Sequence, residues 1–250
     1  MKRQRIKSVT VIGGSDPSCG AGIQADLFIL NQLGVRSSCV VTAVTAQTER
    51  RFLSYETVSV RNFRAQLESV QSSSHHGIVK IGMLGGGRLI PPLITWLEKA
   101  RPSFVIVDPV LESSTGSPLL DRHGQKLLRQ KLIPAVDLIT PNIPELEILT
   151  RMRIQDGRDL VDAGRQLQRS VQSVLIKGGH LPGPPLDLLI EGTRLTRFRQ
   201  ARIPGPGTHG TGCTLASAIA GYLALGNSLK EAVRKARRVV LRKLRDARRL

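Results

Sequence analysis

Short, continuously apolar runs punctuate the chain, and each stops at glycine or polar residues. Residues 8–12 (SVTVI) stop at Gly13-Gly14, 39–43 (CVVTA) run on towards Gln47, and 78–83 (IVKIGM) precede Gly85 to Gly87. Residues 104–107 (FVIV) deliver Asp108-Pro109, 138–140 deliver Pro141-Asn142, and 174–176 deliver Lys177-Gly178-Gly179. Apolar runs this short, without polar alternation, predict strands buried on both faces. Between them lie stretches of helical period: 21–33, stopped by Gly34; 62–72, capped by Asn62; 92–100; and the small-residue segment 214–225. A last helix opens at Ser228, with Glu231 completing a capping box. On it Leu229, Val233, Ala236, Val240 and Leu244 share one face, with basic residues opposite. Residues 52–60 alternate like an edge hairpin or lid, and 186–191 with 196–203 like a second hairpin.

Strand followed by helix, repeated, predicts an α/β architecture with a mostly parallel sheet covered on both faces. No internal repeat or long linker divides the 250 residues, so one domain spanning 1–250 is expected. In such sheets ligands collect beyond the carboxyl ends of the strands. That is where the polar and glycine-bearing clusters fall: Gly13 to Asp16, Gln47, Asp108, Asn142, Lys177 and the HGTGC loop at 209–213.

The HGTGC loop changes the picture most. Gly205, Gly207, Gly210 and Gly212 form a turn-prone run that leads through Thr211 and Cys213 into the helix. A glycine turn feeding a helix N-terminus presents unpaired N–H groups and the positive end of the helix dipole, which suits phosphate. The same field would favour thiolate over thiol at Cys213. On spacing alone this reading stands level with a glycine-rich turn before a core helix, in which Cys213 is a small hydrophobe. Lys177 could set a point charge on a phosphate, or merely cap its strand. Asn142 and Glu145 form an N-x-x-E pair that can hold Mg²⁺ directly or through water, or simply cap a helix. Asp108 reads as a metal-linked carboxylate or a turn residue, and Asp26 as reaching a ligand or facing water. Gln47 offers a donor and an acceptor to a ring edge. His75-His76 read as a loop. GxxxxGK[ST] is absent, so a nucleotide would depend on HGTGC.

Composition narrows the classes. No apolar run is long enough to span a membrane, and the run after the basic start is too short for a signal peptide. Three cysteines without CxxC indicate neither a disulfide framework nor zinc, so a cytoplasmic protein is expected. The net charge of +18 sits mostly at the ends. Lys2, Arg3, Arg5 and Lys7 supply four positive charges and residues 230–249 a net eight, which makes twelve of the eighteen. With aromatics at 3%, this reads as a solvated helix face and frayed ends (1–7 and 238–250) rather than a nucleic-acid footprint.

The segments GGSDPSCGAGIQADL, TAVTAQ, KIGMLG, VDPVLESSTG, ITPNIPELEILT, LIKGGH and GTHGTGCTLASAIA, in that order, resemble the hydroxymethylpyrimidine/phosphomethylpyrimidine kinases of thiamine biosynthesis. The resemblance implies a three-layer α/β/α ribokinase-like fold and two ATP-dependent steps, on the hydroxymethyl pyrimidine and then on its monophosphate. It implies that Cys213 is the base and that the Gly210, Thr211 and Gly212 backbone forms the anion hole. Lys177, Asn142, Glu145 and Asp108 would serve ATP phosphates, with Asp108 and Glu145 towards Mg²⁺, and Gly14, Asp26, Gln47 and Met83 would hold the pyrimidine. Many such proteins are homodimers. Cys19 stands where this family's pattern has glycine, and Glu112 where it is commonly apolar. A pyridoxal or pyridoxine kinase is the alternative within enzymes, and a ligand-sensing or nucleic-acid-associated relative the alternative outside them.

Overall fold

A computed structural model describes residues 8–48, 51–73, 77–113, 116–179, 186–199 and 210–246. Among the described residues nine strands form one sheet: β1 (Ser8–Ser15), β2 (Arg36–Gln47), β3 (Phe52–Thr57), β4 (Ile78–Ile81), β5 (Phe104–Val107), β6 (Leu138–Ile139), β7 (Ser173–Ile176), β8 (Leu186–Glu191) and β9 (Arg194–Arg199). The order is β3-β2-β1-β4-β5-β6-β7-β8-β9. Pairings from β2 through β7 are parallel, whereas β3 at one edge and β8 and β9 at the other are antiparallel. The mostly parallel sheet expected from the apolar runs is present.

Helices cover both faces: α1 (Gly22–Gln32), α2 (Val60–Ser73), α3 (Ile90–Ala100), α4 (Arg122–Leu127), α5 (Ile143–Thr150), α6 (Gly157–Gln168), α7 (Thr211–Ala224) and α8 (Leu229–Asp246). One core is packed by α1, α7 and α8, with Leu30, Ile219 and Val233 among its buried residues. The other core lies under α2, α3, α5 and α6 and centres on Phe63, Leu93, Leu146 and Leu160. Two layers of helix around a sheet make the α/β/α sandwich. The chain runs from β1 outward to β2 and then returns to β4 on β1's other side. The carboxyl ends of β1 and β4 therefore mark the topological switch, where a crevice is expected.

Several local expectations shift. The cap of α2 is Ser59, whose Oγ accepts from the Asn62 N–H, so the helix starts two residues before Asn62. The Asn62 side chain instead accepts from Gln66 Nε2. β2 is far longer than 39–43, because its second half pairs with β3 at the sheet edge and needs no apolar continuity there. At α8, Ser228 Oγ accepts from the Glu231 N–H, but the Glu231 carboxylate takes Arg234 rather than closing the box. That helix runs to Asp246, past position 238 where fraying was expected, held by Arg237 on Asp187 at 2.7 Å and Lys243 on the Gly20 carbonyl. His75-His76, residues 200–203 of the second hairpin, Gly205 and Gly207 lie outside the described residues. Among the described residues no helix is long and apolar enough to cross a membrane.

Candidate active site

A cleft of about 420 Å³ opens at the carboxyl edge of the sheet. Gly14, Asp26, Gln47, Met83, Asp108, Asn142, Glu145, Lys177, Gly210, Gly212 and Cys213 all line it, and Thr211 does not. Topology assembles these residues: Gly14, Gln47, Met83, Asp108, Asn142 and Lys177 lie at or just past the carboxyl ends of six different strands, Glu145 follows Asn142 into α5, Asp26 projects from α1, and Gly210, Gly212 and Cys213 open α7.

One end is largely uncharged. Gly14 stands against Met83, and a side chain there would meet the Met83 sulfur at 2.8 Å. Met83 is fixed through its carbonyl, which accepts from Thr42 Oγ1 at 2.6 Å. The loop after β1 folds around the buried Asp16 carboxylate, which accepts from the Ser18 and Ala21 N–H groups and the Ser18 hydroxyl. Gln24 ties this loop to α1, accepting from the Asp16 N–H and donating to Ser15 Oγ. Gly22 opens α1 at φ 62°, where any side chain would strike the Gly14 carbonyl.

Asp26 neither faces water nor stands free. It is sealed in the protein, where Lys80 Nζ of β4 donates to Oδ2 at 2.7 Å and Ser217 of α7 to Oδ1 at 2.6 Å. Burial opposes the lysine charge, but the Asp26 carboxylate more than restores it and holds the ammonium protonated. Lys80 and Ser217 were missed by the sequence reading. A lysine inside an apolar run was the available signal, since such a residue is seldom fully buried unless paired.

The other end is charged. Asp108, at the end of β5, accepts at Oδ1 from Lys177 Nζ at 2.7 Å and from Thr140 Oγ1 at 3.0 Å. Burial pushes its carboxyl up, yet Lys177 and Lys80 more than offset this and hold it below the ordinary range. Asn142 and Glu145 form a complete capping box at α5, at 2.8 and 2.7 Å. Lys177 also lies 3.6 Å from Glu145 Oε2. Burial, only partly countered by Lys177, raises the Glu145 carboxyl to about 7. Lys177 is placed by a backbone bond from its N–H to the Pro141 carbonyl at 2.8 Å.

Helix α7 begins between the two ends. Its N-cap Gly210 has φ 79°, and a side chain on Gly212 would lie 3.3 Å from Lys177 Nζ and 3.5 Å from Asp108 Oδ2. Gly212 therefore keeps open the gap into which the helix N-terminus points. Cys213 turns to the other side, where the Gly22 N–H reaches it and Lys80 adds a favourable field. The thiolate expected from the helix field is not what results. Burial outweighs both influences, the Asp26 and Asp108 charges add to it, and the thiol is pushed up to about 11.

This geometry fits a nucleotide's phosphates: backbone donors at a helix start, one partly open lysine and no side chain in the gap. Among the described residues no group of three or more His, Cys, Asp or Glu forms a metal cage. The Asp108 and Glu145 carboxylates suit a hydrated Mg²⁺ held mainly by those phosphates.

Residues 16–250 match the phosphomethylpyrimidine kinase family. The chain is 42% identical over 242 residues to the thiamine biosynthesis bifunctional protein ThiED of Geobacter sulfurreducens, covering 96% of this chain but only 49% of that protein. It is 38% identical to a hydroxymethylpyrimidine/phosphomethylpyrimidine kinase of Haemophilus influenzae, over 93% of this chain and 88% of the relative. A phosphomethylpyrimidine kinase structure from Clostridium difficile superposes with a TM-score of 0.84 at 34% identity, covering 95% of this chain and 98% of that one. The pyridoxal kinase of Staphylococcus aureus with AMP-PCP and pyridoxal does so at 0.85 and 29% identity, covering 94% and 87%.

Proposed function

The chain belongs to the phosphomethylpyrimidine kinase family, and on that premise we propose that it transfers phosphate from ATP to hydroxymethylpyrimidine and then to its monophosphate. The observation that carries this reading is one cleft lined on one side by Gly14, Gln47 and Met83 over the internally paired Asp26 and Lys80, and on the other by Asp108, Glu145 and Lys177, with the start of α7 between them. In this reading Gly14, Gln47 and Met83 bound the ring. Asp26, already fixed by Lys80 and Ser217, presents a carboxylate of set orientation to it. Lys177 and the Gly210–Gly212 backbone take the transferring phosphate, where donors aimed at developing charge act most strongly. Asn142, Glu145 and Asp108 order the remaining phosphates. Mg²⁺, when bound, would neutralise phosphate charge, with Asp108 and Glu145 holding its waters.

Cys213 accepts the hydroxyl proton. Its high pKa means that only a small thiolate fraction is ready at neutral pH, so the rate should climb as pH rises towards 11. The reading places one catalytic domain over 1–250, acting in the cytoplasm. It extends to a homodimer, which the exposed Val44 and Leu53 at the β2–β3 edge support.

The test is steady-state ATP turnover with Mg²⁺ on hydroxymethylpyrimidine, its monophosphate and pyridoxal. Turnover on both pyrimidines is expected, with Cys213→Ala slower by about 10²–10⁴-fold and without the alkaline climb. Turnover on pyridoxal alone would replace the substrate assignment, and an undiminished Cys213→Ala would remove the base.

A further inference from the structure

Helix α8 carries a cation to a place where none is expected. Lys243 Nζ donates to the Gly20 carbonyl at 2.8 Å and to Thr214 Oγ1 at 3.2 Å. Thr214 lies in the first turn of α7, and helix N-termini favour anions, so an ammonium there works against the dipole. The contacts it makes are particular. The Thr214 hydroxyl that accepts from Lys243 itself donates to the Gly210 carbonyl at 2.9 Å, so the two bonds run in series and polarise one another. Gly210 is the N-cap of α7, and Gly20 lies in the loop built on Asp16, next to the Ala21 N–H that closes it. One side chain thus spans the loop that bounds the ring end and the turn that bounds the phosphate end. Cys213 adjoins Thr214, and Gly22 adjoins that loop.

The first half of α8 is already secured without it. Ala232, Val233 and Ala236 are buried where α8 packs on α7, Arg237 pairs with Asp187, and Lys235 donates to Asn227 Oδ1 at 2.6 Å. Arg238 and Arg242 line the same groove between α1 and α8 as Lys243, Gly20 and Thr214, and Arg242 serves as the control beside Lys243 on the same helix.

We propose that Lys243 is a positioning residue, a clamp that fixes the loop at residues 16–21 against the first turn of α7 and so sets the separation of substrate and phosphate sites. It acts through the Gly20 carbonyl and the Thr214 hydroxyl and touches neither reactant. The inference rests on the kinase reading for its catalytic consequence but not for the clamp itself.

The test compares Lys243→Met, Lys243→Arg and Arg242→Met by amide hydrogen exchange of the ligand-free protein and by steady-state kinetics with hydroxymethylpyrimidine. Lys243→Met should speed exchange at the Ala21 and Thr214 amides and lower kcat/KM about tenfold, as misplacement of reacting groups does. The loss should be shared between kcat and the pyrimidine KM, with Lys243→Arg recovering most of it and Arg242→Met showing none. Unchanged exchange in Lys243→Met would overturn the clamp whatever the activity. Faster exchange with wild-type kcat and KM, or equal loss in Arg242→Met, would overturn its positioning role. A wild type without kinase turnover would sink the functional reading, and the exchange data would still decide the clamp.

Discussion

Lys80–Asp26 and Lys177–Asp108 are each closed at 2.7 Å, and each joins a strand of the parallel region to an acid at the same cleft. They differ in access to water. Both side chains of the first pair are 1% exposed, whereas Lys177 is 17% exposed beside an Asp108 at 2%. They differ also in what completes them. Asp26 has one oxygen on Lys80 and the other on Ser217, a closed arrangement. Asp108 receives both Lys177 and Thr140 on Oδ1, leaving Oδ2 turned towards the Gly212 gap. A sealed pair resists exchange of partners, because each ion would have to be dehydrated alone. A half-open pair can turn its lysine to an arriving phosphate while the aspartate keeps its hydroxyl partner. The first pair is suited to holding a charge pattern under the cleft, the second to changing partners within it.

The sharpest way to break this comparison is to remove each lysine in turn. Lys80→Met leaves a sealed carboxylate without its cation, a loss of about 3–5 kcal/mol in stability. At roughly 2–4 °C per kcal/mol for a chain of this size, the melting temperature should fall by about 6–20 °C. Lys177→Met should cost about 1–2 kcal/mol, since Asp108 keeps Thr140 and the field of Lys80. It should instead lower kcat/KM for ATP by about 10²–10³-fold, the usual loss of one preorganised donor. Thermal denaturation and ATP turnover on both variants decide the matter. Equal melting shifts, or an active Lys177→Met, would erase the distinction.

Glu145 sharpens the description of the half-open end. Its folded-state carboxyl lies near 7, above the ordinary 4.5, because burial outweighs Lys177. A raised pKa contributes stability that is complete below the unfolded value and is lost as pH rises through the folded one. The ligand-free protein should therefore lose stability between about pH 4.5 and 7, with Glu145→Gln flattening that slope. Binding that requires the ionised carboxylate should run the other way. MgATP affinity should rise by nearly tenfold per pH unit below about 7 and level off above it, less steeply in Glu145→Gln. Calorimetric titrations at several pH values check this, and identical pH profiles for wild type and Glu145→Gln would show that Glu145 does not titrate in this range.

Much of this arrangement was legible in the residues. FVIV and its counterparts read as strands because a parallel sheet covered on both faces demands uninterrupted apolar runs. The polar residues that follow them fell at one edge for the same topological reason, which is why Asp108, Asn142, Lys177 and Gly212 meet in one cleft. What escaped depended on contacts between distant parts of the chain. Lys80 sits in IVKI, and nothing local reveals that Asp26, 54 residues earlier, neutralises it. The sequence leaves Cys213 level between a thiol activated by the helix field and a small hydrophobe, and burial, a property of the packed molecule, outweighs that field. The expected start of α2 at Asn62 moves to Ser59, a residue type that caps as well, because only the fold decides which of such residues meets the helix N–H groups.

The smallest expected effect concerns the loop on the sealed side. Cys19, placed where the resembled family has glycine, adopts φ 57° in a turn closed by its N–H on the Asp16 carbonyl at 3.0 Å. The left-handed region costs a side-chain-bearing residue roughly 1–2 kcal/mol, and a glycine returns about 0.4–1 kcal/mol of that through its freer unfolded chain. Cys19→Gly should then stabilise the protein by up to about 1 kcal/mol, while the β-branched Cys19→Val should destabilise it. Asp16 holds this loop through its own carboxylate, which accepts from the Ser18 and Ala21 N–H groups. The Cys19→Gly gain should therefore add to the Lys80→Met loss within about 0.5 kcal/mol in urea denaturation of the double variant. A marked departure from additivity would mean that the loop and the sealed pair form one unit. The division of the cleft would then lie between a single rigid substrate wall and the exchangeable phosphate end, and not between two ion pairs alone.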